Sequence, residues 1–144
     1  EAHAKLAVPE TAVGLLCCGC GTQTLPWLVG EGWAKRMILT GERVDAQTAL
    51  RIGLVEEVVE TGAAREAAIA MALRVTTLSP QAVTFSKQLI HQARNGVPRS
   101  AALAIERERF VDLFDHPNQR EGVNAFLEKR APRWHTAPES EALQ

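Results

Sequence analysis

The residues best suited to chemistry lie close together near the start of the chain. Pro9-Glu10 is followed by Gly14, then by a Gly/Cys-rich stretch from Cys17 to Gly21 and by Thr22-Gln23. The segment from Ala2 to Val8 is mostly apolar and ends at Pro9, which has no N–H to continue strand pairing. Glu10 is therefore expected at the mouth of that element. A carboxyl there, walled by Ala12, Val13, Leu15 and Leu16, would suit general acid/base work. The plainer alternative is a solvated surface carboxylate, the ordinary fate of Glu.

The elements that must hold this turn read as mostly helical. Thr22 to Val29 forms a short helix with Thr22 as its N-cap, kinked or broken where Pro26 falls within its first turns. Gly30 and Gly32 separate it from a helix over Trp33 to Leu39. Asp45 caps a further short helix that closes at Gly53, and Leu54 to Val59, rich in valine, reads as a strand. From residue 63 onward the periodicity is helical throughout. One helix runs from Ala63 to Thr76, and another opens at Ser79-Pro80 and stops at Asn95-Gly96. A third starts at Pro98 and runs to about Phe114, with Ala101, Ala102, Ile105, Phe110, Leu113 and Phe114 as its apolar face. The last starts between Asp115 and Pro117 and runs through Lys129; Pro132 to Gln144 lacks periodicity and is expected as a mobile tail.

Composition narrows the function classes. The 144 residues carry a formal net charge of −1 and 46% hydrophobic residues, and the basic residues are dispersed. That leaves no electrostatic footprint for a nucleic acid, and no run approaches the ~20 apolar residues that span a bilayer. The simplest location is cytoplasmic. Cys17, Cys18 and Cys20 invite a metal reading, yet the next Cys or His after them is His91, so no tetrahedral set is completed nearby. Free thiols are expected instead, and a side chain at Cys18 or Cys20 would strain the backbone wherever φ must be positive. His3, His91, His116 and His135 show no catalytic partner in sequence.

Three ordered blocks carry a resemblance. Pro9-Glu10-x-x-x-Gly14 with Gly19-x-Gly21-Thr22-Gln23-x-Leu25-Pro26-x-Leu28-Val29-Gly30 resembles the crotonase (enoyl-CoA hydratase/isomerase) family from its second catalytic glutamate into the following helix. Leu39-Thr40-Gly41 through Ala46, Ala49 and Gly53-Leu54-Val55 is similar to the next family segment. Glu121-Gly122-x-x-Ala125-Phe126-x-Glu128-Lys129-Arg130 is similar to its closing helix. The family pattern has Pro, Gly and Gly where this chain has its cysteines, which leaves the shape of that turn open.

The resemblance implies an α/β fold: the C-terminal half of a crotonase-like ββα spiral with a helical C-terminal trimerisation region. Residues 1–62 would end the spiral core and hold the catalytic-glutamate turn, 63–131 would form the helical region, and 132–144 the tail. The half with the oxyanion-hole N–H pair and the first catalytic glutamate is not represented in these residues, so the fragment alone is expected to be nearly inactive. Glu10 is implied as the catalytic acid. Gly14, Trp27, Phe126 and Lys129 are implied at the substrate or CoA site, with Phe126 against adenine or pantetheine and Lys129 on a phosphate. Core packing is the simpler role for Trp27 and for Phe126, and solvation for Lys129. The implied reaction is syn hydration of a 2-enoyl-CoA to a 3-hydroxyacyl-CoA. A Δ3,Δ2-enoyl-CoA isomerase and a non-catalytic helical oligomerisation module are the alternatives. No cofactor beyond the CoA carrier and no metal is implied, and the partners would be an acyl-CoA thioester and further copies, as a homotrimer or dimer of trimers. Without its other half, the chain is expected to expose apolar surface.

Overall fold

Pro9 ends the opening apolar segment early, leaving only a two-residue strand, β1 (Lys5–Leu6). It pairs antiparallel with β2 (Val44–Asp45), in the register Lys5 opposite Asp45 and Leu6 opposite Val44. This computed structural model describes residues 1–136 and divides the chain into two compact units, Glu1–Ala70 and a second from Met71 onward. Among the described residues that ribbon is the whole of the sheet, and helices dominate.

In the first unit, α1 (Gly21–Thr40) supplies most of the core. Its break lies at Gly30, with φ +76 and ψ 160, where the sequence separates two helices, while the further kink expected at Pro26 is absent. Glycine takes that conformation without a Cβ clash, so the chain bends where bending costs least. Leu25, Val29, Ala34 and Met37 from α1 pack with Val44 and Ala49, and Leu6, Val8, Trp33, Ile38, Ile52, Leu54 and Val55 close around them. Asp45 caps α2 (Ala46–Arg51) as expected: its carboxylate accepts from the Thr48 amide at 2.7 Å. Gly53, at φ +76, ends the turn that follows.

Leu54 to Val59 does not form the expected strand. The Leu54 and Val55 amides turn back to the Ala49 carbonyl, at 2.9 and 3.4 Å, and the Val59 carbonyl accepts from Ala2 at 2.9 Å. Valine favours extended backbone, but here the capping of α2 claims the ladder donors first.

Helix α3 (Ala64–Thr76) spans the division between the units, and α4 (Pro80–Arg94) follows Ser79 with Pro80 in its first turn, both close to expectation. In the second unit, α5 (Arg99–Asp112) passes into a 3-10 turn, Leu113–Asp115, and α6 (Pro117–Leu127) follows. Phe110 and Phe114 meet edge to face at 5.2 Å. Both nevertheless remain largely exposed, as do Leu103 and Val111, so the expected apolar face of α5 is only partly covered. This matches the expectation of exposed apolar surface.

The stretch from Pro132, expected to be mobile, is tied down over its described part. Trp134 donates from its indole to the Thr77 carbonyl at 2.7 Å, and its ring lies so close to Gly122 that an added Cβ would come within 3.2 Å. The Asn118 side chain, buried, donates to the His135 carbonyl and accepts its amide. The remainder of that expected tail, 137–144, lies outside the described residues.

Glu121 is the electrostatic centre of this closure. It accepts from Arg130 at 2.6 and 3.1 Å and from the Arg133 amide at 2.6 Å. The Arg130 guanidinium first, and the Arg133 amide second, hold its carboxyl down to about 2. A carboxylate depressed in the folded state contributes stability above its unfolded value, and that contribution is lost as pH falls through the folded value. The chain is therefore expected to lose denaturant resistance between about pH 4.5 and about pH 2, and Glu121→Gln to flatten that slope. Urea titrations across that range check it.

Candidate active site around Glu10

Glu10 opens a 3-10 turn, Glu10–Val13, closed by Gly14 at φ +78. The Gly14 amide reaches the Thr11 carbonyl at 3.2 Å, the Leu15 amide reaches the Glu10 carbonyl at 3.0 Å, and the Ala12 amide reaches Pro9 at 2.9 Å. A left-handed residue is what turns the chain back sharply enough to make the Leu15 bond, which accounts for glycine at position 14.

The turn is seated on the C-terminal end of α1. The Thr11 hydroxyl donates to the Ile38 carbonyl at 2.8 Å, and Pro9 lies in van der Waals range of a Cβ built on Gly41. Glu10 itself is half-buried. Its Oε2 is withdrawn from solvent and has no hydrogen-bond partner. A carboxylate oxygen left this way is costly in a resting protein.

The wall expected around Glu10 is not assembled in this chain. Ala12, Val13, Leu15 and Leu16 are all exposed, so the turn carries apolar side chains outward instead of folding them over the carboxyl. Trp27, expected chiefly as a core residue, is 64% exposed on α1.

The cysteine turn resolves into three different environments. Cys17 is buried, with its Sγ so near Gly21 that an added Cβ would approach within 3.2 Å, while Cys18 and Cys20 are exposed. Cys20, and not Thr22, precedes the first residue of α1, and it does so at φ +69. Its carbonyl accepts from the Gln23 and Thr24 amides at 3.0 and 2.7 Å. A side chain in this left-handed position is strained. Cys20→Gly is expected to raise stability by about 0.5–1 kcal/mol, the relief of strain exceeding the added freedom of glycine in the unfolded chain. Chemical denaturation of the two chains checks this. No group of metal-ligating side chains occurs among the described residues.

At the other expected site residues, the second unit shows how α6 ends. The Arg130 amide reaches the Ala125 carbonyl at 3.0 Å and the Lys129 amide reaches Phe126 at 3.2 Å, a Schellman closure with Lys129 at φ +54. Phe126, for which a core position was the simpler expectation, is 83% exposed, and Lys129 is exposed beside it. Sequence reasoning singled out neither Thr11 nor the Glu121–Arg130 pair. Thr11 fell among the unspecified positions between Glu10 and Gly14, and the pair spans nine positions with no periodic signal joining them.

Comparison with known proteins bears on this geometry. The family model described as enoyl-CoA hydratase/isomerase matches residues 1–137. A short-chain-enoyl-CoA hydratase of Clostridium acetobutylicum is 38% identical over 130 residues, covering 90% of this chain and 49% of the relative. A 2,3-dehydroadipyl-CoA hydratase of Escherichia coli is 36% identical, covering 90% of this chain and 51% of the relative. Among solved structures, Pseudomonas aeruginosa DspI superposes with a TM-score of 0.88 at 63% identity, covering 93% of this chain and 51% of that one. A probable enoyl-CoA hydratase/isomerase from Mycobacterium abscessus gives a TM-score of 0.89 at 29% identity, covering 94% of this chain and 55% of that one. The chain spans about half the length of the curated relatives it matches.

Proposed function

We propose an enoyl-CoA hydratase activity for the protein, with Glu10 as the proton donor, because this chain belongs to the enoyl-CoA hydratase/isomerase (crotonase) family. The observation that supports it most is Glu10: one oxygen shielded and unpartnered, on a turn fastened to α1. The naming of several relatives as hydratases supports the reaction class.

In this reading Glu10 delivers a proton to the α-carbon of a 2-enoyl-CoA while water adds to the β-carbon on the same face, giving a 3-hydroxyacyl-CoA. Polarisation of the thioester carbonyl by paired N–H groups, and the first catalytic glutamate, which takes the proton lost by the water, belong to the family's N-terminal half. The exposed Val13, Leu15 and Leu16 are surface for that half, or for an acyl chain, to cover. Gly14 and Trp27 line the acyl end. Phe126 and Lys129 contact the CoA nucleotide, by packing and as a point charge; their joint exposure at the end of α6 supports this. The exposed apolar residues of α5 support a homotrimer or dimer of trimers, and the reading places the enzyme in the cytoplasm with no cofactor beyond CoA.

The test is the loss of conjugated thioester absorbance from crotonyl-CoA, using the polypeptide that joins these residues to the family's N-terminal half. Steady loss supports the hydratase. Unchanged absorbance, with a 3-enoyl-CoA converted instead, moves the assignment to the Δ3,Δ2 isomerase.

A further inference from the structure

We propose that Thr11 is a positioning residue for Glu10, and that its hydroxyl fixes the carboxylate by tethering the turn to the last turn of α1. The inference rests on the hydratase reading of Glu10. Ile38 lies in the last turn of α1, where carbonyls lack the i+4 amide: the Glu42 amide goes instead to the Thr40 hydroxyl at 3.3 Å. Thr11 fills that vacancy with a 2.8 Å bond, across twenty-seven positions of sequence.

The geometry makes this bond matter for Glu10 in particular. Thr11 is the adjacent residue, inside the same 3-10 turn, and its donor is the described side-chain hydrogen bond from that turn to α1. The turn's other hydrogen bonds, from the Gly14 amide to the Thr11 carbonyl and from the Leu15 amide to the Glu10 carbonyl, lie within the turn and do not reach α1. Without the hydroxyl, the turn keeps its internal shape but can rock on α1 and carry the carboxylate with it. Displacements of that kind weaken the chemical step more than substrate binding.

The experiment compares Thr11→Val, which keeps the β-branched shape and loses the O–H, with Thr11→Ser, which keeps the O–H and loses the methyl. Crotonyl-CoA hydration is measured on the polypeptide that includes the N-terminal half, with Glu10→Gln in parallel. Thr11→Val is expected to lower kcat about five- to tenfold with KM little changed, the scale of one lost hydrogen bond. Thr11→Ser is expected to keep most of the parent rate. In the Glu10→Gln background, Thr11→Val is expected to cost nothing further, because nothing remains to be positioned.

Equal losses in the Val and Ser variants, or a parent-like rate in Thr11→Val beside an inactive Glu10→Gln, would overturn the positioning role alone. So would a Thr11→Val chain that unfolds where Thr11→Ser does not. Parent-like hydration by Glu10→Gln would instead remove Glu10 as the proton donor, and no hydration by the parent would remove the hydratase reading on which the inference stands.

Discussion

Replacing Glu10 by Gln is expected to lower kcat for crotonyl-CoA hydration by about a hundred- to ten-thousand-fold while leaving the fold intact. Gln matches the shape and reach of Glu and can still hydrogen-bond, but its amide cannot deliver a proton to carbon. The fold is expected to survive because the turn owes its shape to other groups: the backbone bonds at Gly14 and Leu15, the seat of Pro9 on Gly41, and the Thr11 tether. The orphaned Oε2 makes no bond that the substitution would break. Glu10→Asp separates chemistry from reach. It keeps the acid but withdraws it by one methylene, and a large loss there would follow from misplacement, since about 1 Å can cost about a hundredfold. Circular dichroism on each variant, beside the kinetics, completes the comparison.

The largest effect on stability is expected at Met37. It is 1% exposed and stands at the centre of the cluster of Leu25, Val29, Ala34, Val44 and Ala49. Its neighbours Ala34 and Ala49 are small, so little can move in to fill the space left by truncation. Met37→Ala is expected to cost about 2–5 kcal/mol, a large share of the margin of an ordinary domain. The consequence reaches function, since α1 is also the support of the Glu10 turn. Guanidinium unfolding followed by Trp33, which packs against this cluster beneath the Arg36 guanidinium, measures it. A shift below about 0.5 kcal/mol would mean that the unit is held together elsewhere.

Much of the local architecture was legible because short-range chemistry decides it. Asp45 and Gly53 bracket α2, Ser79-Pro80 opens α4, and Asn95-Gly96 closes it; each is settled by a backbone donor, a fixed φ or a positive φ within a few residues. Pro9 likewise marked the end of the apolar segment with Glu10 just past it, while the 3-10 turn that holds the carboxylate was not read from those residues.

What escaped the sequence depends on partners far along the chain. Whether Val55, Val58 and Val59 pair as a strand is decided by what lies beside them, and here the Ala49 carbonyl takes the first amides. The separation at Gly30 was legible, but the kink expected at Pro26 is not there: the helix runs through that proline. Trp27 and Phe126 have the hydrophobicity of core residues, but this chain gives them nothing to pack beneath. At Lys129 the conformation usual for glycine is taken by a lysine, with the Schellman bonds beside it and the Arg130 pairs just beyond. The Thr11 tether joins positions that no local pattern connects.

The central claim is that Glu10 protonates the α-carbon of an enoyl thioester as water adds. It is tested most directly by incubating crotonyl-CoA with the polypeptide that includes the N-terminal half, in heavy water, and reading the product by mass spectrometry and proton NMR. The account expects a 3-hydroxyacyl-CoA with one deuterium at the α-carbon, formed rapidly by the parent and barely by Glu10→Gln. Hydration at the same rate by both chains, or a product that has gained no water, would contradict it.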